Sequence, residues 1–356
     1  MYGGITMRGK ISLITIVLFI FTLPSYLRSD SFHLGVDEFA RNILSGGPSK
    51  DGIPPIDRPG YITVQKVGNF LNSNDVVFVV EYGDIVKVFP QKILVWHEIV
   101  NDVIRGEKVS ITYCPLTGSA MGFRGRIDGI ETTFGTSGKL LNSNLVMYDR
   151  ETGSYFPQIL SMSVTGPLKG KTLKEFPVFW TTWEKAKARF PGASILSMDT
   201  GFLRPYGSDP YGSYQKKGTY YDSGGPFFPL MSTDNRLEAK EVVVGIRWDH
   251  SVLAIVKEKI AEKKIVNLRI GNHPIVAFYD NSLDTVRIYS SQLGKKVLSL
   301  NIKDGKIKDS ESSSEWNVSG KSVNGKMKGT ELEPVYSFDV MWFAWVSFYP
   351  ETEIYG

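Results

Sequence analysis

Cysteine is nearly absent from this chain, with Cys114 alone among 356 residues. That excludes an internal disulfide, and it excludes zinc ribbons and fingers, which need four Cys/His ligands in paired spacing. Histidine is scarce too, at four residues (His33, His97, His250, His273), which argues against a site built mainly from imidazoles. The marked apolar run, residues 11–23, falls short of the roughly 20 residues a membrane-spanning helix needs. Excess charge of one sign is also missing. The formal net charge is +4 and falls to +1 without Arg8, Lys10 and Arg28, leaving no electrostatic case for a nucleic-acid partner. What remains, 42% apolar and 22% charged residues, belongs to a folded globular protein and excludes collagen-like, coiled-coil and wholly disordered chains. At about 150 residues per domain, the length predicts roughly two domains.

Residues 1–29 read as a secretory signal peptide. Arg8 and Lys10 precede the apolar stretch 11–23 (ISLITIVLFIFTL), and Arg28-Ser29-Asp30 provides a polar exit. The small-x-small cleavage triplet is missing, so retention as an N-terminal membrane anchor is the alternative. Either way the protein is expected outside the cytoplasm, periplasmic, secreted or membrane-anchored. An unpaired thiol there is oxidised or cross-linked unless it is buried, metal-bound or used in chemistry. The plain reading of Cys114 is a buried small hydrophobe.

An internal duplication organises the rest. At an offset of 166, Val76-Val77-Phe78-Val79-Val80 lies over Val242-Val243-Val244-Gly245-Ile246, Ile99-Val100-Asn101 over Ile265-Val266-Asn267, and Tyr113 over Tyr279. Further on the offset shrinks, with Asp149 to Ser154 resembling Asp309 to Ser314, and Trp183 and Pro191 falling over Trp342 and Pro350. The predicted fold is mainly β (α+β), two divergent copies of one β-rich unit with few short helices. The copies are expected over residues 62–198 and 240–356, after an extended Pro/Gly lead-in at 30–61. Runs rich in Val, Ile, Thr, Tyr and Phe, broken by Gly, Asn and Asp, read as strands. Helical turns are expected over 91–100, 182–190 and 257–264. The connecting segment 199–239, with Tyr206, Tyr211, Tyr214, Tyr220 and Tyr221, is too long and aromatic for a plain linker and reads as a packed loop or lid.

Duplication separates shared requirements from candidates for function. Asn101 has a counterpart in Asn267, which assigns both to turn or cap duty. His97 and Glu98 correspond to Lys263 and Lys264, Asp102 to Leu268, and Cys114 to Asp280, while residues 136–144 have no clear counterpart. The chemistry is therefore expected in the first copy, with the second structural. On a helix, His97 with Asn101 and Glu98 with Asp102 share faces at i and i+4. Cys114 ends an apolar strand before Pro115, which cannot continue a ladder. Ser137, Asn142, Asn144 and Gln158 are expected to line the same site. Met121 and Met147 are nearby, but read first as core filler.

Trp96 to Asp102 (WHEIVND), Thr112 to Ser119 (TYCPLTGS), Thr136 to Asn144 (TSGKLLNSN), Met147 to Arg150 (MYDR) and the Asp199-Thr200-Gly201 segment resemble an uncharacterised secreted family, DUF3179. The resemblance covers most of residues 75–350. It implies no activity, and it supports a site on His97, Cys114 and 137–144. Some relatives carry a second cysteine where this chain has Thr117, so a Cys-x-x-Cys dithiol role is not implied here.

Three readings compete. Cys114 and His97, completed by Glu98, Asp102 or a methionine, suit copper or zinc, because thiolate with imidazole selects those ions over magnesium or calcium. Alternatively, Cys114 is the nucleophile and His97 the base of an acyl-transfer or hydrolytic enzyme, one variant being a thioester between Cys114 and Gln158. Thirdly, the chain is a non-catalytic surface protein that binds through its aromatic loop. Metal binding is the first expectation.

Overall fold

The computed structural model describes residues 1–3 and 35–356. The signal peptide expected over 1–29 lies, beyond its first three residues, outside the described residues. No helix among them is long and apolar enough to cross a membrane.

Strands dominate and helices are few and short. β-branched and aromatic side chains fill the runs Val76–Tyr82 (VVFVVEY) and Ile85–Pro90 (IVKVFP), as suits half-buried pleated surfaces. Two-residue turns fix the registers. Arg105-Gly106 and Asn142-Ser143 both have positive φ at each position, the geometry that matches hairpin twist.

The connectivity of the two halves is alike. In the first, Val76–Tyr82 lies between Ile85–Pro90 and Phe179–Thr182, and Ser194–Leu196 joins Ile85–Pro90 in parallel. In the second, Val242–Trp248 lies between Ser251–Val256 and Ser337–Met341, and Glu353–Tyr355 joins Ser251–Val256 in parallel. A meander follows in each: Ile99–Ile104, Glu107–Cys114 and Ser119–Arg124, then Ile265–Ile270, His273–Asp280 and Thr285–Ser290. Individual contacts recur as well. Asn101 Nδ2 donates to the Phe134 carbonyl at 2.8 Å and its Oδ1 accepts from Phe134 N–H at 3.1 Å. Asn267 holds Leu300 in the same way, at 2.7 and 3.0 Å. Turn or cap duty is thus replaced by a two-bond clamp between sheets. Asp149 accepts from the backbone N–H of Thr152 and Ser154, as Asp309 does from Ser312 and Ser314.

The halves share their largest core, in which Cys114, Met121 and Phe156 meet Val243, Phe338 and Trp345. The helix Trp183–Arg189 buries only Trp183 and Ala186, whereas Trp342–Phe348 buries all seven residues. A Cβ on Gly245 would stand 2.3 Å from the Trp345 ring, so only glycine lets the indole lie on that sheet.

The helical turns expected over 91–100 are shorter in the structure. The helix Gln91–Leu94 ends before the motif, and Ile99–Ile104 is a strand. The β-branched residues of that strand pair with Glu107–Cys114, and this tertiary pairing outweighs a weak helical pattern. The i, i+4 faces proposed for His97/Asn101 and Glu98/Asp102 therefore do not form. Residues 136–144 are a hairpin strand and its turn, with a bulge between Thr136 and Lys139.

Candidate functional site

Cys114 closes the strand Glu107–Cys114, and a turn through Thr117 returns the chain to Ser119–Arg124. Its Sγ accepts from Leu145 N–H at 3.4 Å and reaches the Ser143 carbonyl at 3.7 Å. The hairpin tip at Asn142-Ser143 thus closes over the sulfur. Burial, aided by the nearby Glu98 charge, pushes the thiol up to about 11. About one thiol in a thousand is ionised at pH 8, and little of the sulfur is in reach. Iodoacetamide at pH 8 is therefore expected to leave Cys114 unmodified in the folded protein, with or without chelator, and to alkylate it fully after unfolding. Intact mass reads the outcome, and fast labelling of the folded chain would contradict the burial described.

Glu98 sits where the chain turns from the short helix into the strand Ile99–Ile104. Its N–H donates to Leu94 O at 2.7 Å and its carbonyl accepts from Tyr113 N–H at 2.8 Å, with φ at +57°. Lys264 has φ at +68° and the same two kinds of bond, to Ile260 and Tyr279. The left-handed backbone is hence a demand of this corner of the fold. The side chain is what differs. The Glu98 carboxyl is 8% exposed and has no hydrogen-bond or ion-pair partner among the described residues, and burial alone pushes it up to about 8. At neutral pH it is mostly a neutral acid, able to donate a hydrogen bond.

That carboxyl lines a cavity of about 200 Å³ walled by Ile53, Leu116, Leu145, Tyr211 and Phe228, with Lys139 also on its border. The Pro/Gly lead-in supplies one wall and the aromatic connection another. The latter is a strap fastened at several points. Tyr220 OH donates to Leu116 O at 2.7 Å, Ser143 Oγ to Phe228 O at 3.2 Å, and Met231 N–H to Asn142 Oδ1 at 2.8 Å. Further along, Gln91 Nε2 and Tyr221 OH both donate to Asp209, at 2.8 and 2.7 Å. The segment reads in sequence as a packed loop or lid, and its tyrosines mostly face inward, away from the contact surface that the third reading needs.

His97 is tied to this strap and to the lead-in. Its Nδ1 lies 2.7 Å from Pro54 O and its Nε2 2.7 Å from Tyr206 OH. A carbonyl only accepts, so Nδ1 carries the proton and Nε2 accepts from the phenol. Burial holds the ring below its ordinary pKa, in keeping with this neutral tautomer. Both nitrogens are occupied, and no hydrogen bond joins His97 to Cys114. Asp102 points elsewhere, paired with Lys87 and accepting from Tyr61 OH. Among the described residues no group of three or more His, Cys, Asp and Glu side chains converges as a metal-ligand set.

The remaining predicted residues form structure around Cys114. Gln158 Nε2 donates to Thr112 Oγ1 at 2.8 Å, and its Oε1 accepts from Ser119 Oγ at 2.7 Å and Asn144 Nδ2 at 2.9 Å. Asn144 Oδ1 in turn accepts from Ile159 N–H at 2.9 Å. Both ends of the Gln158 amide are thereby used within a buried polar network, and no contact brings it to the Cys114 sulfur. Ser137 Oγ bonds Val146 O across the bulge, and Asn142 Nδ2 reaches Ser347 O. Met121 and Met147 are core residues. Of the predicted set the structure brings together Glu98 and Cys114, and it adds Tyr211, Leu145 and Phe228, whose only sequence signal was aromatic or apolar character.

A family model described as a protein of unknown function (DUF3179) matches residues 50–352. The chain belongs to that family. No curated protein and no solved structure matches it. The family match spans the strap and every cavity wall named above.

Proposed function

We propose that this DUF3179 protein acts outside the cytoplasm as a binding protein, and that its site is the Glu98 cavity. The observation that carries the reading is an unpartnered, mostly neutral carboxyl facing an otherwise apolar space. The neutral carboxyl offers a bound acceptor a hydrogen-bond donor for which no protein group among the described residues competes. The volume fits a molecule of about the size of a substituted benzene, since an apolar cavity of about 150 Å³ holds benzene itself. Glu98 as donor and Lys139 as cation favour a carbonyl or carboxylate on that molecule. A metal ion, by contrast, would need His97 Nε2 to release Tyr206, and no converging set of further ligands stands beside it among the described residues. A thiol nucleophile would need a base that His97, held in the strap, does not provide. The two alike halves are read as copies of one unit, of which only the first carries the cavity acid.

Calorimetric titration of the purified mature chain with benzoate and acetophenone at pH 6.5 tests the reading. Saturable binding with Kd between about 10 μM and 1 mM is expected. Glu98→Leu should weaken it at least about tenfold, and Leu145→Trp, which fills the cavity, should abolish it. No binding of either probe by about 10 mM, or equal binding to both variants, would overturn the proposal. Stoichiometric copper or zinc in protein from its native compartment, lost in His97→Gln, would favour the metal reading instead.

A further inference from the structure

A second, larger cavity of about 440 Å³ lies where the two halves meet the strap, apart from Glu98. On the first half it is bordered by Trp180 and on the strap by Tyr214 and Tyr221. The Trp180 and Tyr214 rings stand nearly perpendicular, at 81° with centroids 5.2 Å apart, and Tyr221 stacks on Tyr214 at 3.7 Å. The result is an aromatic corner backed by a second ring. The opposite wall belongs to the second half and is acidic, with Glu241, Glu258, Asp284 and Asp339 against Lys257 alone.

The carboxylates are not equivalent. Asp339 is paired with Lys257, and Asp284 accepts from Tyr279 OH. Glu241 and Glu258 have no side-chain hydrogen bond or ion pair among the described residues. The corresponding corner of the first half is self-satisfied: Lys92 pairs with Asp75 at 2.7 Å, and Gln91 reaches Asp209 and Tyr221 of the strap. The positions match at the offset of 166, Asp75 with Glu241, Gln91 with Lys257 and Lys92 with Glu258. Where the first half has a lysine to neutralise its acid, the second has a further acid.

We infer that this cavity between the halves binds a small organic cation, of the alkylammonium or quaternary ammonium class. Aromatic faces attract weakly hydrated cations through their ring quadrupole, and quaternary ammonium groups suit such corners. Two unpaired carboxylates raise the local concentration of cations and favour them over neutral molecules of the same shape. The lone lysine is committed to Asp339 and leaves the cavity net negative.

Titration of the full mature chain with phenyltrimethylammonium, followed by tryptophan fluorescence and calorimetry, tests the inference. Saturable binding is expected, weakening as salt is raised. The neutral isostere tert-butylbenzene, matched in shape, should bind at least about tenfold more weakly. The double variant Glu241→Gln/Glu258→Gln changes partly exposed side chains with no bonds to lose, so it should fold normally, and a loss of affinity of about tenfold is expected. Trp180→Phe should retain part of the binding and Trp180→Ala lose it. No saturation by about 10 mM, equal affinity for the isostere, or unchanged affinity in the double variant would each overturn the inference. The Glu98→Leu variant should bind this probe as the parent does, which separates the two cavities.

Discussion

At pH 8.5 the Glu98→Gln variant should melt at a higher temperature than the parent protein, and at pH 4.5 the two should nearly coincide. The Glu98 carboxyl has its pKa pushed up to about 8 by burial, against 4.5 for the free side chain. Below the lower value both folded and unfolded chains hold the proton, and the group has no effect on the balance. As pH rises above it, the unfolded chain releases the proton while the folded chain keeps it. Stability then declines until the folded carboxyl also ionises near pH 8, after which the loss is complete. One pKa unit corresponds to about 1.4 kcal/mol, so the full loss is on the order of 3–5 kcal/mol. Glutamine, neutral and nearly isosteric, removes this term. A gain of roughly 5–10 °C at pH 8.5 follows for a chain of this size. Melting curves for both proteins between pH 4.5 and 9 measure it, and the difference between them cancels the other titrating groups. Parallel pH profiles would show that Glu98 is not held in an apolar environment, and the cavity reading would fall with it.

The sequence led to Glu98 for a reason the structure replaces. Its pairing with Asp102 at i, i+4 presumed a helix, and the chain there is a turn at His97 and Glu98 followed by the strand Ile99–Ile104. That turn, left-handed at Glu98, sends His97 toward Pro54 and Tyr206 and leaves Glu98 to face the cavity. The β-rich character with few short helices was legible, since strand composition and turn residues are local signals. The helix Trp183–Arg189, expected over 182–190, was equally local. The strap was not. Whether a tyrosine faces in or out depends on what lies beneath it, and Tyr220 meets Leu116 across 104 residues of chain. Gln158, attractive as a thioester partner when considered alone, is occupied by Thr112, Ser119 and Asn144, a set scattered over three separate strands and turns. Lys264 has the same left-handed backbone and the same two kinds of bond as Glu98, so that backbone belongs to this corner of the fold and the side chain is what differs.

Arg247 was not singled out in the sequence, yet its removal is expected to have a large effect on stability. It lies on Val242–Trp248 of the second half and reaches into the first, donating to Ile159 O at 2.8 Å and Leu160 O at 3.1 Å. It also donates to Tyr349 OH at 3.0 Å and forms an ion pair with Glu175. Both side chains are mostly buried, at 15% and 17% exposure, so neither charge has free access to water if its partner is lost. Arg247→Met should then destabilise the protein by about 3–5 kcal/mol, because Glu175 loses its counter-charge in a poorly hydrated joint and keeps only the neutral donor Ser161 Oγ. Glu175→Met alone should cost a similar amount by stranding the guanidinium. Combining the two removes both charges, and the double variant should be more stable than the sum of the single losses by at least about 1–2 kcal/mol. Denaturant unfolding of the four proteins closes the cycle. Strict additivity, or a loss under about 1 kcal/mol for Arg247→Met, would mean that the shared apolar core, in which Cys114, Met121 and Phe156 meet Val243, Phe338 and Trp345, holds the halves together without this ion pair.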